Sequence, residues 1–571
     1  MVSRPREDEL LSQVSGRRLM DATAAIAQWV RLSGEPDELK SFRWIEARLR
    51  EYGYETELLH HRAYISLPEA AMLSVEGGGE FEGISHAFAT STPATGVTAR
   101  LVDANDPDAD FTGAIVLIDG MASGVSVTNW EARGTVGQVH VHDDHLHETS
   151  VSPVWGNPTE RGLELMPGTP SMSIRRSTAG VLRERLAQGP VTVTIHTRTL
   201  TEWRPIPLLI ADLAAAPDRP FVLLSTHVDS WYYGAMDNGS ANATVIEVAR
   251  ILAQRAKGHR RGLRLAFWSG HSHGRFAGSA WYADEKWHEL YDHCIANVFV
   301  DSTGGMGATI VTEAPVMPQT KALASRAVNA VTGEEFEGKR IGRFADQSFY
   351  GIGLNSVFGT LSEQDAADSG STISFKTGGK RAGGLGWWWH TPADTVDKVD
   401  EEFLVRDTKI YLAVVNELLT ADLLPFDYRP AVDEIVETVR PRVQAAREQL
   451  DLSRLMLELE SLQRDVHEFH EAATKAPAQS NELINDTLLG LSRHLVPIAF
   501  HEEVRYVRDP AAPLVPVPSM KDLERLAKLP ADDPTAHAIA TRLHRTANWV
   551  VSAARAAARL ARSATEALRG G

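Results

Sequence analysis

The sequence predicts an α/β fold with a largely parallel sheet, helices on both faces, a β-rich insert and a helical C-terminal region. Between residues 200 and 425, apolar β-like runs alternate with amphipathic helical runs, which is typical of a parallel sheet. Residues 92–198 instead contain short runs rich in Val, Ile and Thr, bounded by Gly, Pro and Asp. After residue 428, apolar residues recur at helical spacing.

Bulk properties restrict the class of protein. A chain of 571 residues is too long for one compact core, so we expect about two to four domains. Its net charge of −17 disfavours binding to a phosphate backbone, so nucleic acid is not an expected partner. Because there is one cysteine, Cys294, the fold contains no internal disulfide.

The N-terminal stretch MVSRPREDELLSQVSGRR is charged and lacks the apolar core of a signal peptide. No run approaches the roughly 20 apolar residues that span a bilayer. We therefore expect a soluble, cytoplasmic protein that does not associate with a membrane.

The elements follow in order along the chain. Residues 6–52 show helical periodicity that ends at Gly53, and short β-like runs follow up to residue 91. We predict an α/β domain from residues 1–91 and 199–428, an insert at 92–198 and a helical domain at 429–571.

Three polar residues stand at the ends of predicted strands in the α/β domain. His227 ends RPFVLLSTHVD, His271 follows GLRLAFWSG, and Asp301 follows CIANVFV. Sites in parallel sheets form at the carboxyl ends of the strands. These side chains are therefore expected near one site.

The stretch THVDSWYYGAMDNGSANA adds further candidate ligands. His227 and Asp237 are residue types that bind zinc-like ions, and Asp229 is placed to orient the His227 ring. Taken alone, His227 can equally be a satisfied loop histidine and Asp237 a helix cap. The pattern becomes specific when it is joined to FVDSTGG, to the loop WSGHSHGRFAGS and to His390 in WWWHTPADTVDKV.

Together these motifs resemble the co-catalytic zinc aminopeptidase and carboxypeptidase family M28, in particular its glutamate carboxypeptidase II and transferrin-receptor branch. The resemblance implies a phosphorylase/hydrolase-like sheet, a protease-associated domain at 92–198 and a C-terminal dimerisation domain. It also implies one metal on His227, Asp237 and Asp301, and a second on Asp237, His390 and one further residue.

The sequence departs from the family pattern at that further residue, where the family has a Glu-Glu pair of base and ligand. Counting back from the Gly-Ser pair after the loop places Ser272 and His273 at the two positions. Counting forward from the preceding tryptophan places His271 and Ser272 there instead. If the segment is extended, both histidines point to one face. We favour His273 as the second-metal ligand, with His271 transferring protons or also binding metal.

Replacing Glu by His softens the ligand set, so Mn, Fe, Co or Ni become as suitable as Zn, with one or two divalent ions bound. Trp389 is predicted to wall a substrate pocket, and Arg343 and Lys376 to clamp a substrate carboxylate. Core packing and solvated loops are the alternatives for these three residues. The histidine-rich tract HVHDDHLHE at 140–148 is interpreted as a solvated loop or a lid over the pocket, with metal binding as the alternative.

The functional prediction is a metal-dependent hydrolase of an amide-type bond in a peptide or small molecule, and not an ordinary aminopeptidase. The alternative is a non-catalytic dimeric binding protein on the same scaffold. By resemblance, the C-terminal helices form a homodimer.

Overall fold

The computed structural model describes residues 4–213, 220–343, 345–365 and 383–570. Its mixed α/β architecture confirms the predicted fold class. The strands are β1 (Glu55–Val75), β2 (Glu80–Ser85), β3 (Val97–Asp103), β4 (Ile115–Asp119), β5 (Gly137–Val141), β6 (Ser171–Ile174), β7 (Thr192–Leu213), β8 (Phe221–His227), β9 (Gly262–Trp268), β10 (Cys294–Phe299), β11 (Pro315–Val316), β12 (Lys339–Arg340) and β13 (Asn355–Val357). The helices are α1 (Arg4–Leu11), α2 (Gly16–Ala27), α3 (Pro36–Glu51), α4 (Gly124–Glu131), α5 (Glu160–Leu163), α6 (Arg176–Leu186), α7 (Ala241–Ala253), α8 (Ala277–Glu285), α9 (Trp287–His293), α10 (Lys321–Thr332), α11 (Glu401–Thr420), α12 (Arg429–Ala445), α13 (Ser453–Lys475), α14 (Asn481–Phe500), α15 (Leu523–Leu526) and α16 (Pro534–Gly570).

The strands of the described residues form one mixed sheet in the order β1-β2-β6-β5-β4-β3-β7-β9-β8-β10-β13-β11-β12. Within it, β9, β8, β10 and β13 are mutually parallel neighbours, and β7 lies antiparallel to β9. The parallel strands end at one edge of the sheet, which is where ligands bind in folds of this kind.

Alternate side chains of the central strands face two different apolar cores. In β8, Val222 and Leu224 face the largest core, whereas Phe221 and Leu223 face the core on the opposite side. Helices α7, α10 and α11 cover the first face, and α8 and α9 cover the second. Every residue of β8 is buried, as expected for a parallel strand that is covered on both faces.

Two long strands connect the main sheet to the insert. β1 and β7 pair antiparallel from Glu55 and Asp212 at one end to Val75 and Val193 at the other. The insert has its own apolar core, to which Ala71 of β1 contributes together with residues of β3 to β7. Residues before the predicted boundary at 92 therefore take part in the second core, because β1 serves both units. The assignment of the insert as a protease-associated domain stays a prediction.

Helices α12 to α16 form the predicted helical C-terminal region. The longest, α16, packs along α13 and α14, and its buried alanines Ala554, Ala557 and Ala561 recur at helical spacing. The apolar faces of these helices belong to the same core as α7, α10 and α11. They therefore cover a surface of their own chain, and the homodimer stays a prediction.

Among the helices of the described residues, none combines the length and the apolar character that crossing a membrane requires. The cytoplasmic location stays a prediction.

Candidate metal centre

The candidate site lies at the carboxyl edge of the parallel strands. His227 is the last residue of β8, His271 lies in the loop after β9, and Asp301 follows β10. Asp237 comes from the irregular turn Ala235–Ser240 before α7, and His390 from the loop before α11. Residues far apart in the sequence thus meet where three strands end.

Asp237 joins two histidines through its two carboxylate oxygens. Its Oδ1 lies 3.2 Å from Nε2 of His227, and its Oδ2 lies 3.0 Å from Nε2 of His390. Oδ2 of Asp301 lies 3.7 Å from the same atom of His227. The structure therefore brings together the four predicted ligands on which the resemblance to family M28 depends most.

Both of these histidines have Nδ1 committed to a main-chain carbonyl. Nδ1 of His227 donates to the oxygen of Asp229 at 2.9 Å, and Nδ1 of His390 to that of Glu148 at 2.6 Å. Since a carbonyl oxygen only accepts, Nδ1 carries the proton and Nε2 faces the carboxylates. Metal-ligating histidines have this arrangement. Among the residues that the structure describes, Nε2 of His227 has no hydrogen-bond partner although it is buried, so the residues present fit a bound divalent cation.

The buried charges of the centre shift one another's pKa values. Burial alone would lower the pKa of His227, but the carboxylates of Asp229, Asp237 and Asp301 raise it well above its ordinary value. Burial would raise the pKa of Asp237, but the imidazoles of His227 and His390 lower it. Asp237 is therefore held as an anion between the two imidazoles, and a negative charge at this position is what a bound cation requires.

Asp229 holds the His-Ser-His loop more closely than it holds the His227 ring. Its Oδ1 accepts the N–H of His271 at 3.2 Å, and its Oδ2 accepts the N–H of Ser272 at 2.8 Å and the hydroxyl of Ser33 at 2.9 Å. The carboxylate is 3.7 Å from Nδ1 of His227, and the main-chain oxygen of Asp229 is nearer. The orienting role predicted for the carboxylate thus falls mainly to the carbonyl of the same residue, because loop donors occupy the carboxylate.

His271 lies in the cluster of candidate ligands. Its ring stacks on that of His227, with the centroids 3.7 Å apart and the planes 9° apart. Ligand atoms of His227, His271 and Asp301 all lie within 4.8 Å of one another. Nδ1 of His271 donates to Oδ2 of Asp346 at 2.6 Å, so Nε2 is left to bind an ion or a proton.

His273 lies outside this cluster, which differs from the preferred interpretation of the sequence. It is fully buried, its Nδ1 is 3.0 Å from the hydroxyl of Ser33, and its ring packs on Trp231 at a centroid distance of 4.3 Å. The indole of Trp231 also contacts the ring of His390. The physical reason is that residues 271–276 form a bend and turn rather than an extended segment, so the two histidines do not share a face.

The three predicted substrate contacts have different placements. Trp389 stacks on His390, with centroids 3.3 Å apart, and therefore lies at the centre. Arg343 forms a buried ion pair with Asp509 of the C-terminal region. Its guanidinium is thus committed to a carboxylate of its own chain, which argues against the predicted clamp on a substrate. Lys376 lies outside the described residues.

Two buried groups that sequence reasoning missed hold the chain between His227 and Asp237. Arg31 donates to the main-chain oxygens of Val228, Tyr233 and Gly234 at 2.7 to 2.9 Å. Burial lowers the pKa of Arg31 to about 10. No local pattern marks Arg31, which is some two hundred residues away from the loop that it binds.

The second group is Asp394, which accepts the N–H groups of Met236 and Asp237 at 2.9 and 3.0 Å. Burial raises the pKa of this carboxyl to about 7, although the two N–H donors oppose the shift. Asp394 lies four residues after His390 in HTPAD, and that proximity is the only sequence signal for it. The turn that Asp394 holds also needs a glycine, because a Cβ on Gly234 would lie 2.1 Å from the carbonyl oxygen of Asp237.

The insert reaches the centre through Glu148. Its main-chain N–H donates to the oxygen of His390 at 3.1 Å, and its main-chain oxygen accepts from Nδ1 of the same histidine. His390 has a φ of 58°, which non-glycine residues rarely adopt, and these two bonds hold it there. The Glu148 side chain accepts the hydroxyl of Tyr232 at 2.8 Å, and burial raises the pKa of that carboxyl to about 7.

A set of imidazoles and carboxylates at the carboxyl edge of a mixed α/β sheet is typical of metal-dependent hydrolases. Residues 209–415 match the family model described as Peptidase family M28. This match confirms the resemblance to family M28 that was inferred from the sequence.

Two curated proteins show how far the similarity extends. The chain is 26% identical over 362 residues to Aminopeptidase NAALADL1 of Mus musculus, covering 56% of this chain and 47% of that protein. It is 26% identical over 234 residues to Probable glutamate carboxypeptidase VP8 of Zea mays, covering 39% of this chain and 32% of that protein. The matches thus span less than half the length of these relatives.

The fold is also similar to that of a solved structure, BSAP, a zinc aminopeptidase from Bacillus subtilis. The TM-score is 0.54 at 18% sequence identity, and the match covers 72% of this chain and 96% of that one. At this identity the likeness concerns the fold alone.

Proposed function

We propose that this chain is a metal-dependent hydrolase of amide-type bonds in a peptide or a small molecule. The observation that supports it most is Asp237, whose two carboxylate oxygens face Nε2 of His227 and Nε2 of His390. His227, Asp237 and Asp301 would hold one ion, and Asp237 with His390 would take part in holding a second. A bound divalent ion polarises a substrate carbonyl and lowers the pKa of a bound water.

Zinc is the first candidate for the ion, because BSAP, a zinc aminopeptidase, shares the fold. Mn, Fe, Co and Ni remain alternatives, since each is compatible with imidazole and carboxylate ligands. The names of the two relatives, an aminopeptidase and a probable glutamate carboxypeptidase, support an amide-type bond as the target.

His271 is our candidate for handling the proton. Asp346 accepts the Nδ1 proton, which leaves Nε2 of His271 to take a proton from the nucleophile and to return it to the leaving nitrogen. The ring of His271 stacks on that of His227, which supports a role for it at the candidate centre. The second possibility is that Nε2 binds the ion. The metal content of a His271→Ala variant separates the two roles, since only a ligand is needed to retain the ion.

We further propose that the chain is not an ordinary aminopeptidase. The segment His271–His273 offers two imidazoles and a hydroxyl where the family pattern has two carboxylates. An imidazole carries no negative charge, so the centre attracts a substrate's cationic amino terminus less strongly than the family centre. Small amides without that charge are therefore the first substrates to test.

The test is hydrolysis of a panel of peptides and small amides by chelator-treated protein to which single divalent metals are returned. We expect metal-dependent turnover in the wild type and a loss of at least about 100-fold in Asp237→Asn. The matched control is Asp422→Asn, which changes an exposed aspartate that pairs with Arg260. Equal turnover in the wild type and Asp237→Asn would reject the hydrolase.

A non-catalytic dimeric binding protein is the second candidate, because residues 271–273 supply no carboxylate to act as a base. Metal analysis after reconstitution discriminates between the two functions. A wild type that retains no more transition metal than Asp237→Asn, and that sediments as a dimer, would favour the binding protein.

A further inference from the structure

We propose a separate metal site in the insert, formed by His142, Asp143 and His147. These residues lie in the loop after β5, and their ligand atoms are all within 4.8 Å of one another. Nε2 of His147 lies 3.3 Å from Oδ2 of Asp143, and Nε2 of His142 lies 3.8 Å from the same oxygen. The site shares no residue with the centre around Asp237, so it does not depend on the proposed hydrolysis.

The orientation of the His147 ring indicates a ligand. Nδ1 of His147 donates to the main-chain oxygen of Trp389 at 2.6 Å. In a neutral ring the lone pair is then on Nε2 and points at a carboxylate oxygen, which is unfavourable unless a cation lies near both atoms. His227 and His390 show the same arrangement, with Nδ1 on a carbonyl and Nε2 on an aspartate. The insert thus repeats the pattern of the main centre.

The carboxylate of Asp143 is also held in place. Its Oδ1 accepts the N–H of His145 at 2.6 Å, so Oδ2 is the oxygen that faces the two histidines. The side chains of His147 and Asp143 are 2% and 9% exposed, whereas that of His142 is 35% exposed. One side of the site is therefore closed by protein and the other is open to water, which can complete the coordination of an ion.

The donor set selects the class of metal. Two imidazoles and one carboxylate suit zinc, cobalt, nickel or copper, whereas calcium and magnesium prefer oxygen ligands alone.

The site has a structural consequence for the main centre. The loop that carries it continues to Glu148, which holds the ring of His390 through its main-chain oxygen. An ion at this site would fix the loop of the insert against the main centre.

The competing explanation is a proton on Nε2 of His147, which would make an ordinary ion pair with Asp143. Titration of chelator-treated full-length protein with zinc, followed by calorimetry and by elemental analysis, distinguishes the two. We expect His142→Ala and Asp143→Asn each to bind one zinc per chain fewer than the wild type. His145→Ala is the matched control from the same loop, and we expect it to bind the wild-type number.

Two further variants separate this site from the main centre. Asp237→Ala is expected to keep one zinc per chain, and Asp237→Ala combined with His142→Ala to keep none. An anomalous-scattering peak between His142, Asp143 and His147 in a zinc-soaked crystal would locate the ion directly. If Asp143→Asn fails to fold, by circular dichroism, the half-exposed His142 decides the test. A wild-type zinc count in folded His142→Ala, or no zinc left in folded Asp237→Ala, would overturn the proposal.

Discussion

Oδ2 of Asp346 accepts a 2.6 Å hydrogen bond from Nδ1 of His271, and the other oxygen accepts the hydroxyl of Ser279 at 2.5 Å. The carboxylate is fully buried. A carboxylate that binds one ring nitrogen fixes the tautomer and the orientation of the ring. The segment that departs from the family pattern therefore contains a histidine supported by a buried carboxylate.

We expect Asp346→Asn to lower kcat/KM by about 10- to 100-fold, because the amide keeps the shape of the carboxylate but not its charge. The measurement is kcat/KM as a function of pH on the best substrate of the panel, with metal content determined on the same samples. Asp284→Asn is the control, since Asp284 is an exposed aspartate paired with Arg508. An unchanged kcat/KM and pH profile in Asp346→Asn would show that His271 needs no support.

Replacing Arg31 by leucine is expected to lower the free energy of unfolding by about 3 kcal/mol or more. The buried carbonyls of Val228 and Tyr233 lose their donor, and each unsatisfied group costs roughly 1 to 3 kcal/mol. The carbonyl of Gly234 keeps the N–H of Gly239. Urea unfolding measures the change. Arg17→Leu, at an exposed arginine on α2, is expected to stay within about 0.5 kcal/mol of the wild type. Similar losses in both variants would contradict the role of Arg31.

The convergence of His227 and Asp301 could be predicted because parallel strands share a carboxyl edge, whereas Asp237 and His390 were assigned to the same site through the resemblance to family M28. The end of a strand can be recognised in the sequence as the end of an apolar run. Residues that directly follow such runs are therefore expected to meet at the carboxyl edge of the sheet. The helices on both faces were predictable for a similar reason, since β8 begins with four consecutive apolar residues and β9 contains a single charged residue, Arg264.

Other features of the fold and of the site depend on contacts between residues that are distant in the sequence, and a local sequence pattern does not reveal such contacts. The placement of His271 rather than His273 in the cluster follows from the path of one turn. The partner of Arg343 is Asp509, which lies in the C-terminal region and has no recognisable motif. Long β1 and β7 strands shared by two units also obscure the start of the insert, since a boundary between units need not coincide with the end of a strand.

Arg343→Met is expected to destabilise the protein by about 3 kcal/mol without changing KM, because it leaves Asp509 buried without its guanidinium partner. Urea unfolding and steady-state kinetics on the same preparation measure both quantities. The control is Arg326→Met, which removes a half-exposed ion pair with Glu417 and is expected to cost less than about 1 kcal/mol. A raised KM at unchanged stability would restore Arg343 as a substrate contact.

The stability of the protein is expected to fall as the pH is lowered, through His86, a buried histidine whose Nε2 lies 2.8 Å from the hydroxyl of Ser173 in the insert. Burial lowers the pKa of this histidine to about 3, against roughly 6.5 in an unfolded chain. Between these values the unfolded chain binds a proton that the folded chain does not, so the stabilisation is complete above about pH 6.5 and is lost as the pH falls towards 3. The loss from His86 approaches about 1.4 kcal/mol per pH unit. The free energy of unfolding, measured with urea between pH 8 and pH 5, should therefore vary less steeply with pH in His86→Gln than in the wild type. His537→Gln, at an exposed histidine, should keep the wild-type pH dependence. The same pH dependence of the free energy of unfolding in all three proteins would mean that protonation of His86 does not destabilise the folded state.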